Sequence, residues 1–183
     1  LFFCLLVNSD FGTLSIVWRQ ALGGPTVCRV FLPQAGSSAQ DLVQEAFPGA
    51  VPRSAGPITR LAQQMRCFLE GEAIRFSLDI LALERCSDFQ TRVLLAEHQI
   101  PRGWVSTYGR IAGHLGIPGG ARAVGRALAR NPFPIIIPCH RAVRSDGRLG
   151  GFQGGPTMKR ALLELEGVQF SSTGRVSAHC FYY

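Results

Sequence analysis

The segment Gly116-Ile117-Pro118-Gly119 cuts a helical pattern in two. Before the cut, Ser106-Thr107 can cap a helix through Leu115 that carries Tyr108, Ile111, Ala112 and Leu115. After it, Gly120–Arg130 reads as a second helix. Asn131-Pro132 stops that helix, because the residue before a proline is pushed out of the helical region. Two short helices joined by a glycine-bearing turn are the sequence form of a helix-turn-helix. The surroundings fit. Asp88 can cap a helix to Gln99, with Phe89, Val93, Leu94 and His98 on its pattern and Pro101 as a stop. Arg144–Gly151 is a Gly-rich turn read as a wing. Thr157–Glu166 reads as a last helix, with Gly167 as the residue just past its end.

The first half has a different texture. Residues 1–7, Thr13–Arg19 and Thr26–Leu32 read as strands separated by the turn clusters Asn8–Gly12 and Ala21–Pro25. Such a meander is antiparallel. A short helix is expected over 39–47, closed by Pro48-Gly49, and a second follows Pro57 with Ile58, Leu61, Met65, Phe68 and Leu69 at helical spacing. Phe76–Ile80 is expected as a short strand. The fold class expected is an α+β N-terminal domain with a small antiparallel sheet (residues 1–84), structural or regulatory. A mostly helical winged helix-turn-helix C-terminal domain (residues 85–183) follows it.

Charge divides at the same place. Residues 1–84 hold six Arg against seven acidic groups, whereas residues 85–183 hold thirteen Lys and Arg against five. The basic half therefore suits a polyanion, with nucleic acid the first candidate. Hydrophobic residues at 46% and charged residues at 17% exclude a disordered chain. The opening apolar run, Leu1–Val7, is far shorter than the roughly 20 residues a membrane helix needs, and it has no basic segment before it or small-residue cleavage site after it. No membrane partner is expected. Six cysteines with no C-x-x-C pair in a chain this large suit a reducing compartment, so a cytoplasmic location is expected.

Two constellations carry chemistry. In Gly120–Arg130, Arg122, Arg126 and Arg130 recur every four residues and share one helix face. Ala121, Ala123 and Gly125 keep the rest of the surface small, which lets the helix approach a groove floor. The bland reading is an Ala-rich surface helix with solvated arginines. The second constellation is Ile135-Ile136-Ile137-Pro138-Cys139-His140-Arg141, an apolar extended segment within Pro134–Val143 that presents a thiol. A cysteine is a nucleophile only as thiolate, so Cys139 needs a base or a positive field. His140 is adjacent, but neighbours on a strand face opposite ways, so contact needs a turn at Pro138 or a bridging water. Glu166 could orient the imidazole. A buried structural thiol is the commoner meaning of a lone Cys-His pair. Together, a nucleophile just after a DNA-reading helix points to attack on an electrophilic carbon carried by a flipped-out base.

Residues Phe89–Gly167 resemble the O6-alkylguanine-DNA alkyltransferases, the methylated-DNA–protein-cysteine methyltransferases. The resemblance rests on Pro138-Cys139-His140-Arg141 preceded by Ile135–Ile137. Ala121-Arg122-Ala123-Val124-Gly125, Asn131-Pro132, Gly154-Gly155 and Glu166-Gly167 stand in the same order. Residues 1–84 match only in the turn Phe11-Gly12-Thr13-Leu14 and in their α+β pattern.

The resemblance implies roles. Cys139 would accept the alkyl group, His140 would deprotonate it through a water, and Glu166 would hold His140. Asn131 would brace the turn between the recognition helix and the site. Tyr108 would help rotate the nucleotide and protonate the leaving guanine. Arg122 would replace the flipped base, with Ala121, Ala123, Gly125, Arg126 and Arg130 also against DNA. Pro134 and the loop Leu149, Gly150, Phe152, Gln153 and Gly154 would wall the pocket. Phe152 and Gln153 depart from many relatives, which carry a hydroxyl-bearing ring and a small or hydroxylic residue there. A larger amide narrows the pocket or still donates to the guanine O6. The implied function is single-turnover direct reversal of O6-alkylguanine in double-stranded DNA, with O4-alkylthymine as a second candidate. The protein would act as a monomer, with cooperative assembly on DNA left open. No histidine precedes His98, so the Cys/His zinc set of some relatives has no counterpart; no metal and no cofactor are expected. Two rivals remain at this point. A non-enzymatic DNA sensor would not need Cys139, and a Cys-His hydrolase would turn over without DNA.

Overall fold

The computed structural model describes residues 1–34 and 36–183, with Ala178 by its backbone alone. The chain divides into two compact units: Leu1–Arg85 with Pro132–Ile136, and Cys86–Asn131 with Ile137–Tyr183.

In the first unit three strands form a meander: β1 (Phe2–Ser9), β2 (Gly12–Ala21) and β3 (Gly24–Phe31). The turns between them are two residues long, with Ser9 opposite Gly12 and Ala21 opposite Gly24. Gly12 and Gly24 sit at φ +104° and +118°, a region closed to most side chains. A β-bulge between Val17 and Trp18 shifts the β2–β3 register. Leu14–Trp18 are buried without a break, so both faces of the sheet are covered rather than one. The covers are α1 (Ala39–Ala46) and α2 (Gly56–Leu69), which pack on the strands. Ser38 and Asp41 form a reciprocal capping box at the start of α1. Pro57 occupies the first turn of α2, where its missing N–H costs nothing.

Two expectations for this unit need correction. The sheet is mixed, not antiparallel: β4 (Val51–Pro52) pairs in parallel with β1, giving the order β3-β2-β1-β4. Residues 76–80 form no strand; the chain there makes one bridge, Val27 with Leu81. Pro132–Ile136 joins this unit through Val30 N–H, which donates to the Pro132 carbonyl at 2.8 Å.

The second unit opens with α3 (Asp88–Gln99), capped by the Ser87 hydroxyl rather than by Asp88. A short strand, β5 (Ser106–Thr107), runs straight into α4 (Tyr108–His114), and Thr107 accepts from Arg110 N–H as its cap. The turn to α5 (Ala121–Ala129) has Gly116 and Gly119 at φ +73° and +81°. A Cβ on Gly120 would lie 2.9 Å from the Ile117 carbonyl oxygen, so only glycine lets the turn close. Helices α3, α4 and α5 pack on one another around Val93, Leu94, Ile111, Ala112, Val124 and Leu128. β6 (Ala142–Val143) pairs in parallel with β5. Residues 144–151 form a turn closed by Arg144 N–H to Arg148 O at 2.8 Å, with no strand of its own. α6 (Gly155–Leu165) starts two residues before the expected Thr157, with Pro156 in its first turn, and Glu166 closes it. Val105, Val143, Leu163, Val168 and Val176 form a second core cluster here. No helix among the described residues is long and apolar enough to cross a membrane.

Candidate active site

The segment expected to be extended, Pro134–Val143, is not. It turns at Ile135-Ile136, where Ile135 takes φ +73°, rare for a β-branched residue. It then winds into a single 3₁₀ turn at Cys139–Arg141. Pro138 precedes that turn, and Arg141 N–H donates to the Pro138 carbonyl at 2.8 Å. Successive side chains of a 3₁₀ turn are about a third of a circle apart. Adjacent residues can thus serve one site from different sides, which a strand would forbid.

Cys139 is buried and lines a cavity of about 270 Å³ together with Tyr108, Gly125, Leu128, Ala129, Gly151, Phe152 and Gln153. Burial pushes the Cys139 thiol up to about 12; a hydrogen bond from the Asn131 side chain and the charge of Lys159 act against this, while Glu97 adds to it. The resting group is therefore a thiol, and the site must supply a proton acceptor before it can attack.

His140 is fully buried, and its Nε2–H donates to Glu166 Oε1 at 2.9 Å. With Nε2 as donor, Nδ1 is the nitrogen that can take a proton. Burial lowers the His140 pKa against the pull of Glu166, so the ring is a neutral base near pH 7. Glu166 also receives Arg141 through two parallel bonds, Nε to Oε2 and the terminal nitrogen to Oε1, both 2.8 Å. Burial raises the Glu166 pKa, but His140 and Arg141 outweigh it and hold the carboxyl at about 2. Arg141 was legible only as part of a signature; its two-point hold on Glu166 is what fixes the orienting carboxylate.

Asn131 is fully buried and donates from Nδ2 to the Ile137 carbonyl at 3.0 Å, which ties the end of α5 to the turn that carries Cys139. Gln153 donates to the Asn131 carbonyl at 2.7 Å, so that N–H is committed to the backbone rather than to a ligand. Gln90 closes the same helix end with bonds to the Ala127 and Arg130 carbonyls.

Arg122, Arg126 and Arg130 are exposed, with Arg130 just past the helix end, while Val124, Ala127 and Leu128 of α5 face the core. Ala121, Ala123 and Gly125 are half-buried. Tyr108 opens α4, and its ring lies against Gly125, where an added Cβ would meet Cδ1 at 3.8 Å. Burial lifts the Tyr108 pKa to about 12, which keeps its proton in place near pH 7. Leu149, Gly150 and Gly154 flank the cavity-lining residues in sequence without lining the cavity, and Pro134 belongs to the first unit. Gly150 has a specific neighbour: a Cβ there would stand 2.8 Å from Tyr108 Oη, at a φ of +71°. Gly150→Ala should therefore displace Tyr108 and slow any chemistry at Cys139 by roughly tenfold, while lowering stability by about 1 kcal/mol. Single-turnover rates and thermal melts of the variant would show this; an unchanged rate would contradict it.

Cys67, Glu70 and Glu72 bring three ligand-type atoms within 4.8 Å of one another in the first unit, with both carboxylates exposed. None of them belongs to the Cys139 cavity.

Residues 88–168 match the family model of the 6-O-methylguanine DNA methyltransferase DNA-binding domain. A methylated-DNA–protein-cysteine methyltransferase of Methanothermobacter thermautotrophicus is 47% identical over 111 residues, which is 61% of this chain and 62% of that protein. The aligned stretch thus spans less than two thirds of that relative's length. The crystal structure of Mycobacterium tuberculosis O6-methylguanine methyltransferase superposes with a TM-score of 0.74 at 32% identity, covering 91% of this chain and 93% of that one. A structure of the M. tuberculosis protein in complex with DNA gives a TM-score of 0.73 at 34% identity, covering 89% and 91%.

Proposed function

Because the chain belongs to the methylated-DNA–protein-cysteine methyltransferase family, we propose that it repairs alkylated DNA by direct reversal. The alkyl group would pass from O6 of a flipped-out O6-alkylguanine in double-stranded DNA to Cys139. The observation that carries this reading is the buried Cys139 in a cavity shared with Tyr108 and α5, on the same turn as a His140 held by Glu166.

The target carbon is out of reach inside a duplex, so the nucleotide leaves the stack and enters the cavity. Arg122, exposed in the first turn of α5, fills the gap it leaves. Ala121, Ala123 and Gly125 allow close approach to the groove, and Arg126 and Arg130 contact phosphates. His140 takes the Cys139 proton through a water. The thiolate then attacks the alkyl carbon, an S–C bond forms, and the C–O6 bond breaks with its electrons going to the base. Tyr108 or solvent protonates the leaving guanine. Phe152 and Gln153 wall the cavity, with Leu149, Gly150 and Gly154 flanking them in the chain. O4-alkylthymine presents the same kind of carbon. The chemistry needs no metal or cofactor, and the protein works as a monomer. The product is a thioether, a poor leaving group, so each molecule acts once.

Intact-protein mass after incubation with a duplex containing O6-methylguanine tests this. One added methyl, mapped to Cys139, is the expected result. Tight binding with no mass change would overturn it in favour of a sensor.

A further inference from the structure

Two buried charges of the second unit lie outside the Cys139, His140 and Glu166 set. Lys159, the one lysine in the chain, is fully buried on α6. Its Nζ donates to the carbonyls of Ala142 and Gly151 at 2.6 and 3.1 Å. Both residues adjoin the site: Ala142 ends the turn that carries Cys139, and Gly151 lines the same cavity as Cys139. Glu97 is fully buried on α3, and α3 packs against that same turn. Among the described residues, neither oxygen of the Glu97 carboxyl has a well-formed hydrogen bond; the Ala142 N–H acts on it, more weakly than the nearby cations.

A buried carboxylate without well-formed hydrogen bonds persists only if a positive charge answers it. The cations that act on Glu97 are Lys159 and Arg141. Arg141 is already held by Glu166 through two bonds. Lys159 is bonded to neutral carbonyls, so its charge is left for two candidate anions, the Cys139 thiolate and the Glu97 carboxylate.

We propose that Glu97 is a positioning residue for alkyl transfer, which competes with the Cys139 thiolate for the charge of Lys159 and so tempers the nucleophile. The inference deepens the reading of Cys139 as alkyl acceptor and rests on it. While Glu97 holds its proton, Lys159 is answered by the thiolate alone. Once Glu97 ionises, it adds a buried negative charge that opposes the thiolate and draws on the positive charge that Lys159 still carries. Only protons move between these states.

The titration directions agree with the geometry. Burial lifts Glu97 to about 8, against the pull of Lys159, Arg141 and the Ala142 amide. Burial likewise lowers Lys159 to about 8, with Cys139 and Glu97 supporting its charge. The other ionisable groups that feel Glu97, Tyr108 and Tyr183, are lifted to about 12 mainly by burial and stay neutral over the relevant range.

The test is alkylation of Cys139 by iodoacetamide, followed by peptide mapping and run on wild type, Glu97→Gln and Lys159→Met from pH 6.5 to 8.5. Near pH 6.5 wild type and Glu97→Gln should react within about twofold of each other, because Glu97 already holds its proton. At pH 8.5 Glu97→Gln should react about three- to tenfold faster, a shift of up to one pKa unit in the thiol. Lys159→Met should react more slowly than wild type, and adding Glu97→Gln to it should bring no gain. Equal or slower alkylation of folded Glu97→Gln at pH 8.5 would overturn the proposal. If Glu97→Gln does not fold, Glu97→Leu gives the same comparison, since replacing an unpartnered buried polar group by an apolar one is neutral or stabilising. Iodoacetamide supplies the electrophile without DNA. A protein that failed to repair O6-methylguanine would still report on Glu97, and the two failures remain distinct.

Discussion

Cys139→Ala should take up no methyl group from an O6-methylguanine duplex, and wild type should take up one per molecule. The loss is complete because no other side chain can substitute. Among the described residues Cys139 is the one sulfur lining the cavity, and the hydroxyl of Tyr108 keeps its proton up to about pH 12. Cys139→Ser keeps the shape but exchanges the thiol for a far less acidic hydroxyl, so its rate should fall by at least about 10⁴-fold. Duplex binding should survive in both variants, since the exposed arginines of α5 are untouched. Methyl transfer measured by intact mass, beside duplex binding measured by fluorescence anisotropy, separates the two properties. Continued methyl uptake by Cys139→Ala would place the acceptor elsewhere.

The second large effect is at Glu166. Glu166→Gln keeps the volume of the side chain and removes the charge that answers buried Arg141. Breaking a buried ion pair from one side costs about 3–5 kcal/mol, because the remaining charge is left without a partner. For a chain of this length that lowers Tm by roughly 10 °C. The same carboxyl gives wild type an acid-sensitive window. Its pKa is depressed from 4.5 to about 2 in the folded protein. The stability it supplies is present above 4.5 and is lost as pH falls from there toward 2. The shift corresponds to about 3 kcal/mol. Urea melts between pH 6 and pH 2.5 should show wild type losing that advantage, with Glu166→Gln lacking this part of the slope. A wild-type profile parallel to that of Glu166→Gln would mean that Glu166 does not carry the ion pair in solution. Alkyl transfer in Glu166→Gln should also slow, because a neutral amide holds the His140 ring less firmly.

The helix-turn-helix was legible because glycine and proline punctuate it and because Arg122, Arg126 and Arg130 follow the helical period. Cys139 and His140 were legible as a pair, but their geometry was not. Ile135–Ile137 reads as extended by β-propensity, yet the chain turns there with Ile135 in a left-handed conformation. Local preference loses to the packing of three buried isoleucines. Glu97 and Lys159 were invisible for another reason. Each sits among residues where a charge normally means a solvated helix face, and only the packed structure shows that both are fully buried. The two-residue strand β4 is too short to show a period, so the mixed character of the sheet had no sequence signal.

The excursion of Pro132–Ile136 into the first unit bears on how the chain is made. As the polypeptide leaves the ribosome, β3 emerges long before the Pro132 carbonyl that its Val30 N–H will meet. The first unit can collapse early, but it cannot close until residue 136 has emerged from the ribosome. By then most of α3, α4 and α5 is already outside, so the two halves must mature together. A truncation at the apparent boundary near residue 85 would release an unfinished N-terminal half that is prone to aggregate.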